Sequence, residues 1–121
     1  MARYMNATPV VQYHGTLTRW HGMWRVVGNR GGRLELRDPW GNRITCRATS
    51  ATIVDMPRLT ELRAGILVRL WDCSIGRIAD SRTRGWLRTQ KLIEPVEGRP
   101  GWYQLTYLGL LAMDSIVRQY R

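Results

Sequence analysis

Cysteine and histidine are too scarce in this sequence to form a structural metal site. Among its 121 residues the only ones of these types are Cys46, Cys73, His14 and His21. A structural zinc site needs about four such ligands at short spacing. We therefore expect no bound metal, and two free thiols in the reducing environment of the cytoplasm.

Long apolar runs are also missing. No segment approaches the roughly 20 apolar residues that cross a bilayer, and the first residues, MARYMNATPVV, lack the apolar core of a signal peptide. Glycine-rich phosphate loops and motifs that combine serine, histidine and an acid are absent as well. The sequence therefore predicts no membrane partner, no cofactor and no catalytic residues, and we expect a protein that is not an enzyme.

Acidic residues are few, whereas basic residues are frequent. There are 9 Asp and Glu against 19 Lys and Arg, which gives a formal net charge of +10, and 44% of the residues are hydrophobic. This apolar content is sufficient for a packed core, so the excess charge belongs to a folded surface. Such a surface attracts polyanions, most often nucleic acids.

Apolar and polar residues alternate between Val10 and Val54. Leu34 and Leu36 lie on one face of RLELR, and its charged residues lie on the other. The segment DPWGN, residues 38–42, is typical of a turn. Short strands separated by turns predict an antiparallel meander that closes into a small barrel. In strand number and strand length this half resembles the SH3-like small barrels.

From Pro57 onwards the apolar spacing becomes helical. A first helix is predicted with Thr60 as N-cap and with these core-facing residues: Leu59, Leu62, Ile66, Leu67 and Leu70. A basic helical segment follows, IEPV and GWYQLT flank EGRPG as the strands of a hairpin, and Thr106 caps a last helix. We therefore predict an α+β fold with two domains, a small β-barrel over residues 1–56 and a helical domain over residues 57–121.

The last helix contains more apolar residues than one core requires. This excess favours a homodimer through the helix. The residues concerned are Leu108, Leu110, Leu111, Met113, Ile116 and Val117.

The order helix, basic helix, hairpin and helix is similar to that of winged helix-turn-helix regulators of bacteria and phages. In that family a Leu, a spacer, a Leu-Ile pair, a hairpin, a Leu-Thr pair and an early helical Gly follow one another. The matching residues are Leu87, Leu92, Ile93, Glu94–Trp102, Leu105, Thr106 and Gly109. The resemblance covers residues 57–121 and implies a compact winged-helix domain that binds duplex DNA.

One part of this pattern is short. Two helices and the turn between them need about 20 residues, and residues 74–91 number 18. Either the second helix is cut to one turn over residues 75–79, with a recognition helix over residues 82–91, or residues 75–91 form one bent helix.

The basic segment and the hairpin carry the side chains that we expect to bind DNA. They are Arg82, Arg84, Arg88, Gln90, Lys91 and Arg99. Positions 84, 88 and 91 share one face of a helix, opposite Leu87, so an exposed stripe is predicted. Guanidinium groups bond guanine or phosphate, and Gln90 can bond adenine. Arg99 at the hairpin tip would reach a neighbouring phosphate or the minor groove.

Together these features predict a small regulator of transcription, of phage or bacterial type, that binds duplex DNA and has no enzymatic activity. Two other classes fit the same residues. The arginines could bind an acidic protein surface, as in an inhibitor or an assembly component. Alternatively, the basic barrel could bind RNA or the ribosome, and a protein partner of the barrel is a further expectation.

Overall fold

The computed structural model describes residues 9–120, with side chains as far as residue 114. Within these residues the fold is mixed α+β, with three α-helices, a five-stranded antiparallel sheet and a two-stranded hairpin. The chain divides between Met56 and Pro57 into two compact units. We refer to residues 9–56 as the strand unit and to residues 57–120 as the helical unit.

The strand unit contains the five strands that the alternating sequence predicts. They are Val10–Tyr13 (β1), Gly22–Arg30 (β2), Arg33–Arg37 (β3), Arg43–Arg47 (β4) and Ala51–Val54 (β5). All neighbours are antiparallel, and the order across the sheet is β4-β3-β2-β1-β5. A one-turn 3-10 helix, Ala48–Ser50, lies between β4 and β5, where the chain passes from one end of the sheet to the other.

Two tight turns fix the register of β2, β3 and β4. Gly31 and Gly32 have φ values of 57° and 80°, as a two-residue turn that matches the twist of the strands requires. In the turn after β3, the Asp38 carboxylate accepts hydrogen bonds from the backbone N–H groups of Trp40 and Asn42. The predicted DPWGN turn is thereby confirmed, and its geometry comes from bonds within the turn itself.

The core of the strand unit contains the inward residues of this sheet. Leu34 and Leu36 are buried, as the alternation predicts, and belong to one cluster with Trp24 and Cys46. The indole N–H of Trp24 donates to the carbonyl oxygen of Trp20 over 2.8 Å, so the buried ring has no unpaired donor. Burial raises the pKa of the Cys46 thiol, which therefore stays neutral.

The helical unit combines helices with a hairpin. Its elements are α1 (Glu61–Cys73), α2 (Ser81–Thr89), β6 (Ile93–Pro95), β7 (Tyr103–Leu105) and α3 (Tyr107–Tyr120). α1 packs against α3 and β7, and α2 contacts β6. The backbone of Gly76 exchanges hydrogen bonds with that of Tyr103, which adds the link between α1 and α2 to the edge of the hairpin. The predicted first helix, hairpin and last helix are all present.

The link between α1 and α2 differs from both predicted arrangements. Residues 74–80 contain no helix, and α2 comprises only Ser81–Thr89. The cause is the pairing of Gly76 with Tyr103, an isolated bridge that bonds the backbone of the link to the hairpin instead of to a helix. Ile78 is buried, so the apolar spacing of this segment belongs to an extended chain with one side in the core.

α1 begins where the sequence predicts and buries a narrower face than expected. The Thr60 hydroxyl accepts a hydrogen bond from the backbone N–H of Arg63 over 3.3 Å, which confirms the N-cap. Three of the five predicted core residues are buried: Leu59, Leu67 and Leu70. Ile66 is half-buried, and Leu62 is 62% exposed. The placement of Leu62 in the core is wrong, because α1 turns Ala64 toward the core instead.

α3 begins directly against the end of α2. The Thr106 hydroxyl accepts a hydrogen bond from the backbone N–H of Gly109 over 3.0 Å, as predicted for a capping residue, and donates to the carbonyl of Lys91. The backbone N–H of Thr106 donates to the carbonyl of Leu92 over 3.1 Å. A Cβ atom at Gly109 would overlap that same Leu92 oxygen. The glycine is therefore required by the close approach of two backbones.

The apolar residues of α3 are partly used within the helical unit. Leu111 and Met113 are buried in its core, and Leu108 and Leu110 are half-buried. The other residues expected at a dimer interface lie outside the described side chains, namely Ile116 and Val117. Leu111 and Met113 are accordingly not available to a second copy, and the homodimer stays a prediction.

We expect Gly109→Ala to destabilise the protein by about 2–3 kcal/mol, because the added methyl group overlaps backbone that cannot move without displacing α3. Gly65→Ala is the matched control, since Gly65 also lies in a helix and a Cβ atom there meets nothing within 4 Å. The control should stabilise the protein by about 0.5–1 kcal/mol through helix propensity. Urea unfolding followed by circular dichroism measures both. Equal stabilities of the two variants would contradict the close approach.

Candidate nucleic-acid interface

The helix α2 is fixed by hydrogen bonds at both ends. At its start the Asp80 carboxylate accepts bonds from the backbone N–H of Thr83, over 3.0 Å, and from the Thr83 hydroxyl. Beyond its end the backbone N–H of Leu92 donates to the carbonyl of Leu87 over 3.0 Å. This last bond belongs to a Schellman motif, in which the chain leaves a helix through one residue in the left-handed conformation. The bounds of α2 are therefore set locally.

The exposed face of α2 carries Arg82 and Arg88 rather than the predicted stripe. Both side chains are exposed, and Gly85 lies between them on the same side of the helix. The Arg84 side chain is half-buried, and its guanidinium group donates to the carbonyl oxygen of Ile78 over 2.8 Å. The prediction that Arg84 belongs to an exposed stripe is wrong, because its side chain turns back onto the link between α1 and α2.

Gln90 and Lys91 lie beyond the last residue of α2. Gln90 is the half-buried C-cap residue. Lys91 is exposed and has a φ of 60°, a conformation in which a residue with a Cβ atom is strained. Its backbone N–H donates to the carbonyl of Arg88, which is the second bond of the Schellman motif. The prediction that Lys91 continues the helical stripe is therefore wrong. Its charge nevertheless lies near the negative end of the helix dipole.

Arg99 lies at the hairpin tip, as predicted. Two successive turns form the tip, with Gly98 and Gly101 at φ values of 76° and 83°. Arg99 is exposed between them, and its guanidinium carbon is 4.4 Å from the centre of the Trp102 ring. The guanidinium carbon of Arg77, in the link, is 5.5 Å from the same ring. Trp102 thus brings one cation of the hairpin close to one of the link.

An open depression of ≈ 430 Å³ lies between the link, α2 and the hairpin tip. Its lining consists of Arg69, Arg77, Ile78, Ala79, Arg84 and Gly101. The Arg69 guanidinium donates to the carbonyl of Arg77 over 2.6 Å, and that of Arg84 donates to the carbonyl of Ile78. Since a guanidinium has five N–H donors, each group keeps donors for an anion after it has bonded the backbone. Three arginines, Arg69, Arg77 and Arg84, therefore border one depression.

The sequence does not indicate Arg69 and Arg77 as site residues. Helical spacing places Arg69 on the outer face of α1 and Arg77 in a second helix. The available signal is the pair Asp80 and Ser81, since an Asp before a helical run is a strong N-cap residue. A helix that begins at Ser81 leaves the preceding segment SIGRIA outside any helix. Arg77 then lies beside the hairpin rather than on a helix.

The cations of this surface form no ion pair with any carboxylate in the described part of the chain. They are Arg63, Arg69, Arg77, Arg82, Arg84, Arg88, Lys91 and Arg99. Neutral groups hold several of them instead. The guanidinium carbon of Arg63 is 3.6 Å from the centre of the Trp86 ring, and that of Arg88 is 5.8 Å from the centre of the Tyr103 ring. Such contacts orient the arginines without cancelling their charge.

The Asp80 carboxylate caps the N-terminus of α2. Hydrogen bonds from Thr83 hold the pKa of Asp80 below its ordinary value, and the backbone and charge of Arg82 act in the same direction. Because this carboxylate already accepts a bond from the first turn of α2, an approaching anion would be bound by the arginine side chains and not by the helix N-terminus.

Asp80→Asn should remove a pH dependence of stability. The pKa of Asp80 is lower in the folded protein than its ordinary value of 3.8. The ionised carboxylate therefore stabilises the fold fully at pH values above 3.8, and this stabilisation is lost as the pH falls through the folded-state pKa. Asn accepts the same capping bonds and keeps the helix. We expect the wild type to unfold at a higher temperature than the variant at about pH 6, and the difference to shrink towards pH 2. A difference that is constant with pH would contradict this assignment.

Lys91→Gly and Lys91→Ala should differ in stability, although both remove the same charge. Ala keeps the strain of the left-handed conformation, whereas Gly relieves it, so we expect Lys91→Gly to be more stable by about 1 kcal/mol. Urea unfolding of the two variants tests this directly. Equal stability would show that the backbone of Lys91 is not strained.

Metal sites, membrane spans and similarity to known proteins add no residue to this interface. In the described part of the chain, no group of three or more His, Cys, Asp or Glu side chains could hold a metal ion. None of the helices within residues 9–120 has the length and apolar character that a membrane span requires. The chain matches no family model, no curated protein and no solved structure.

Proposed function

We propose that the protein is a duplex-DNA-binding regulator of transcription without enzymatic activity, in which the helical unit is a winged-helix domain and the strand unit is an SH3-like barrel. The order α1, α2, hairpin and α3 supports the first assignment, and five short antiparallel strands support the second. One departure concerns the helix-turn-helix. Residues 74–91 contain a single helix, so the helix-turn-helix would consist of α1, the link and α2. The link is then longer than the usual turn of about 3–4 residues.

The observation that carries this proposal is the set of unpaired cations around α2 and the hairpin. Four different parts of the helical unit supply them: α1, the link, α2 with the residue that follows it, and the hairpin tip. Positive groups gathered in this way repel one another unless an anion lies between them. A DNA backbone supplies regularly spaced phosphates, and the release of its counterions drives the binding of such surfaces.

The exposed face of α2 allows a close approach of its backbone. A Cβ atom at Gly85 would meet nothing within 4 Å, so no packing requires a glycine there. Glycine inside a helix costs about 0.5–1 kcal/mol relative to alanine. A low surface between Arg82 and Arg88 suits a helix that enters the major groove, where both guanidinium groups reach base edges or phosphates.

The remaining cations are suited to phosphate contacts. Lys91 keeps a charged side chain at a position where glycine would relieve strain, and retained strain is frequent at functional residues. Arg99 at the tip and the arginines of the depression would bind the backbone beside the groove. Gln90 is half-buried, so a bond from it to adenine would need its side chain to turn outwards.

Arg82→Ala combined with Arg88→Ala should weaken duplex binding sharply. If both residues contact phosphates, the slope of log K against log salt should fall by about 1.8, at about 0.9 per contact. Arg19→Ala with Arg58→Ala is the matched control, since it removes the same two charges from exposed residues outside the interface. Fluorescence anisotropy with a labelled duplex measures both. We expect Arg84→Ala to weaken binding too, but it also leaves the Ile78 carbonyl without its donor.

An acidic protein surface is the competing ligand. Unchanged duplex affinity in the Arg82 and Arg88 variant would remove the α2 assignment. Retention of a purified acidic partner after nuclease treatment, with no affinity for duplex DNA at about 50 mM salt, would establish the protein-binding alternative instead.

A further inference from the structure

The strand unit carries arginines opposite arginines. Residues directly opposed on neighbouring strands share a face of the sheet. Across β2, β3 and β4 two such rows consist of arginine alone: Arg30–Arg33–Arg47 and Arg25–Arg37–Arg43. Leu34 and Leu36 turn to the core, so both rows lie on the opposite face of the sheet. The second row is largely covered there, since Arg25 is 3% exposed and Arg37 is half-buried, whereas all three residues of the first row are exposed.

The first of these rows, which we call the arginine row, consists of exposed residues. Arg30, Arg33 and Arg47 are all exposed, and none of their side chains forms a hydrogen bond or an ion pair with a described residue. The acid nearest in register is Glu35, which lies opposite Gly28 and Thr45. It forms no ion pair with these arginines. Like charges directly opposed on a sheet are destabilising, so the free protein holds an unrelieved repulsion here.

Protection of the sheet edge explains only part of this pattern. β4 lies at one end of the strand order, and charged side chains on an edge strand prevent pairing with other chains. That role accounts for Arg43 and Arg47. It does not account for Arg30 and Arg33, which are on inner strands and opposed to one another.

We propose that the arginine row binds the phosphodiester backbone of duplex nucleic acid, as a second surface separate from that of the helical unit. Strands are spaced by about 4.8 Å, so three guanidinium groups extend over about 10 Å and can contact neighbouring phosphates. The two arginine rows, and the row of Gly28, Glu35 and Thr45 between them, contain no aromatic residue. Surfaces for single strands combine cations with aromatic platforms for the bases. This face therefore fits a duplex, and its contacts are independent of base sequence.

The test is Arg33→Ala combined with Arg47→Ala in the full chain. Anisotropy is measured with a labelled duplex and with a single strand of the same length, between about 50 and 200 mM salt. We expect the slope of log K against log salt for the duplex to fall by about 1.8. The thermal midpoint should be unchanged or higher, because the variant removes an opposed pair of like charges. Arg19→Ala with Arg58→Ala again serves as the control of equal charge.

Several results would overturn the proposal. One is a duplex affinity and salt slope equal to those of the control. Another is a lower thermal midpoint together with weaker binding, which would indicate a structural role for the row. A larger loss for the single strand than for the duplex would exclude duplex recognition. Displacement of the duplex by polyglutamate at equal charge in the wild type, but not in the variant, would assign the row to an acidic protein.

The same assay separates this surface from the α2 interface. If the Arg82 and Arg88 variant loses duplex affinity and the Arg33 and Arg47 variant does not, the proposed function is supported and the arginine row is not a binding surface. The reverse outcome assigns duplex binding to the strand unit and removes it from α2.

Discussion

The carbonyl group of Leu92 is the point on which the helical unit depends. It receives the backbone N–H of Thr106 and lies against Gly109 without room for a side chain. Leu92 itself follows the end of α2 and precedes β6. One peptide group therefore joins the basic helix, the first strand of the hairpin and the start of α3. Any displacement of α3 would be transmitted to the residues that hold the cations of α2.

Charge in this protein is organised by neutral partners. Backbone carbonyls and aromatic rings orient the arginines around α2, and Asp80 bonds the helix N-terminus. Surfaces stabilised by ion pairs would be electrically balanced before any ligand arrived. Here the positive groups around α2 are positioned in advance and form no ion pair with a carboxylate of the described residues. Pre-oriented donors lose less conformational entropy on binding than free side chains do.

Local patterns in the sequence predict most of the fold. The five strands, α1, the hairpin and α3 follow from alternation, caps and turn residues, which act within a few positions. The link between α1 and α2 could not be predicted in this way, because its conformation is set by bonds between Gly76 and Tyr103, far apart in the chain. The site shows the same limit. Its cations are visible in the sequence, but the turn of Arg84 towards Ile78 and the opposition of Arg33 and Arg47 depend on tertiary structure and strand register.

The carbonyl-bound arginines have a role that lysine could not take over, in a chain with 19 cations of which a single one is lysine. Arg69 and Arg84 each use guanidinium donors on the backbone and retain others in the same rigid plane. A lysine ammonium is a compact charge on a flexible stem, so anchoring it to a carbonyl would direct it away from an external anion. Exchanging these arginines for lysines would preserve the net charge of the surface while removing its fixed directions. For this molecule, the identity of the basic side chain is as much a structural property as its charge.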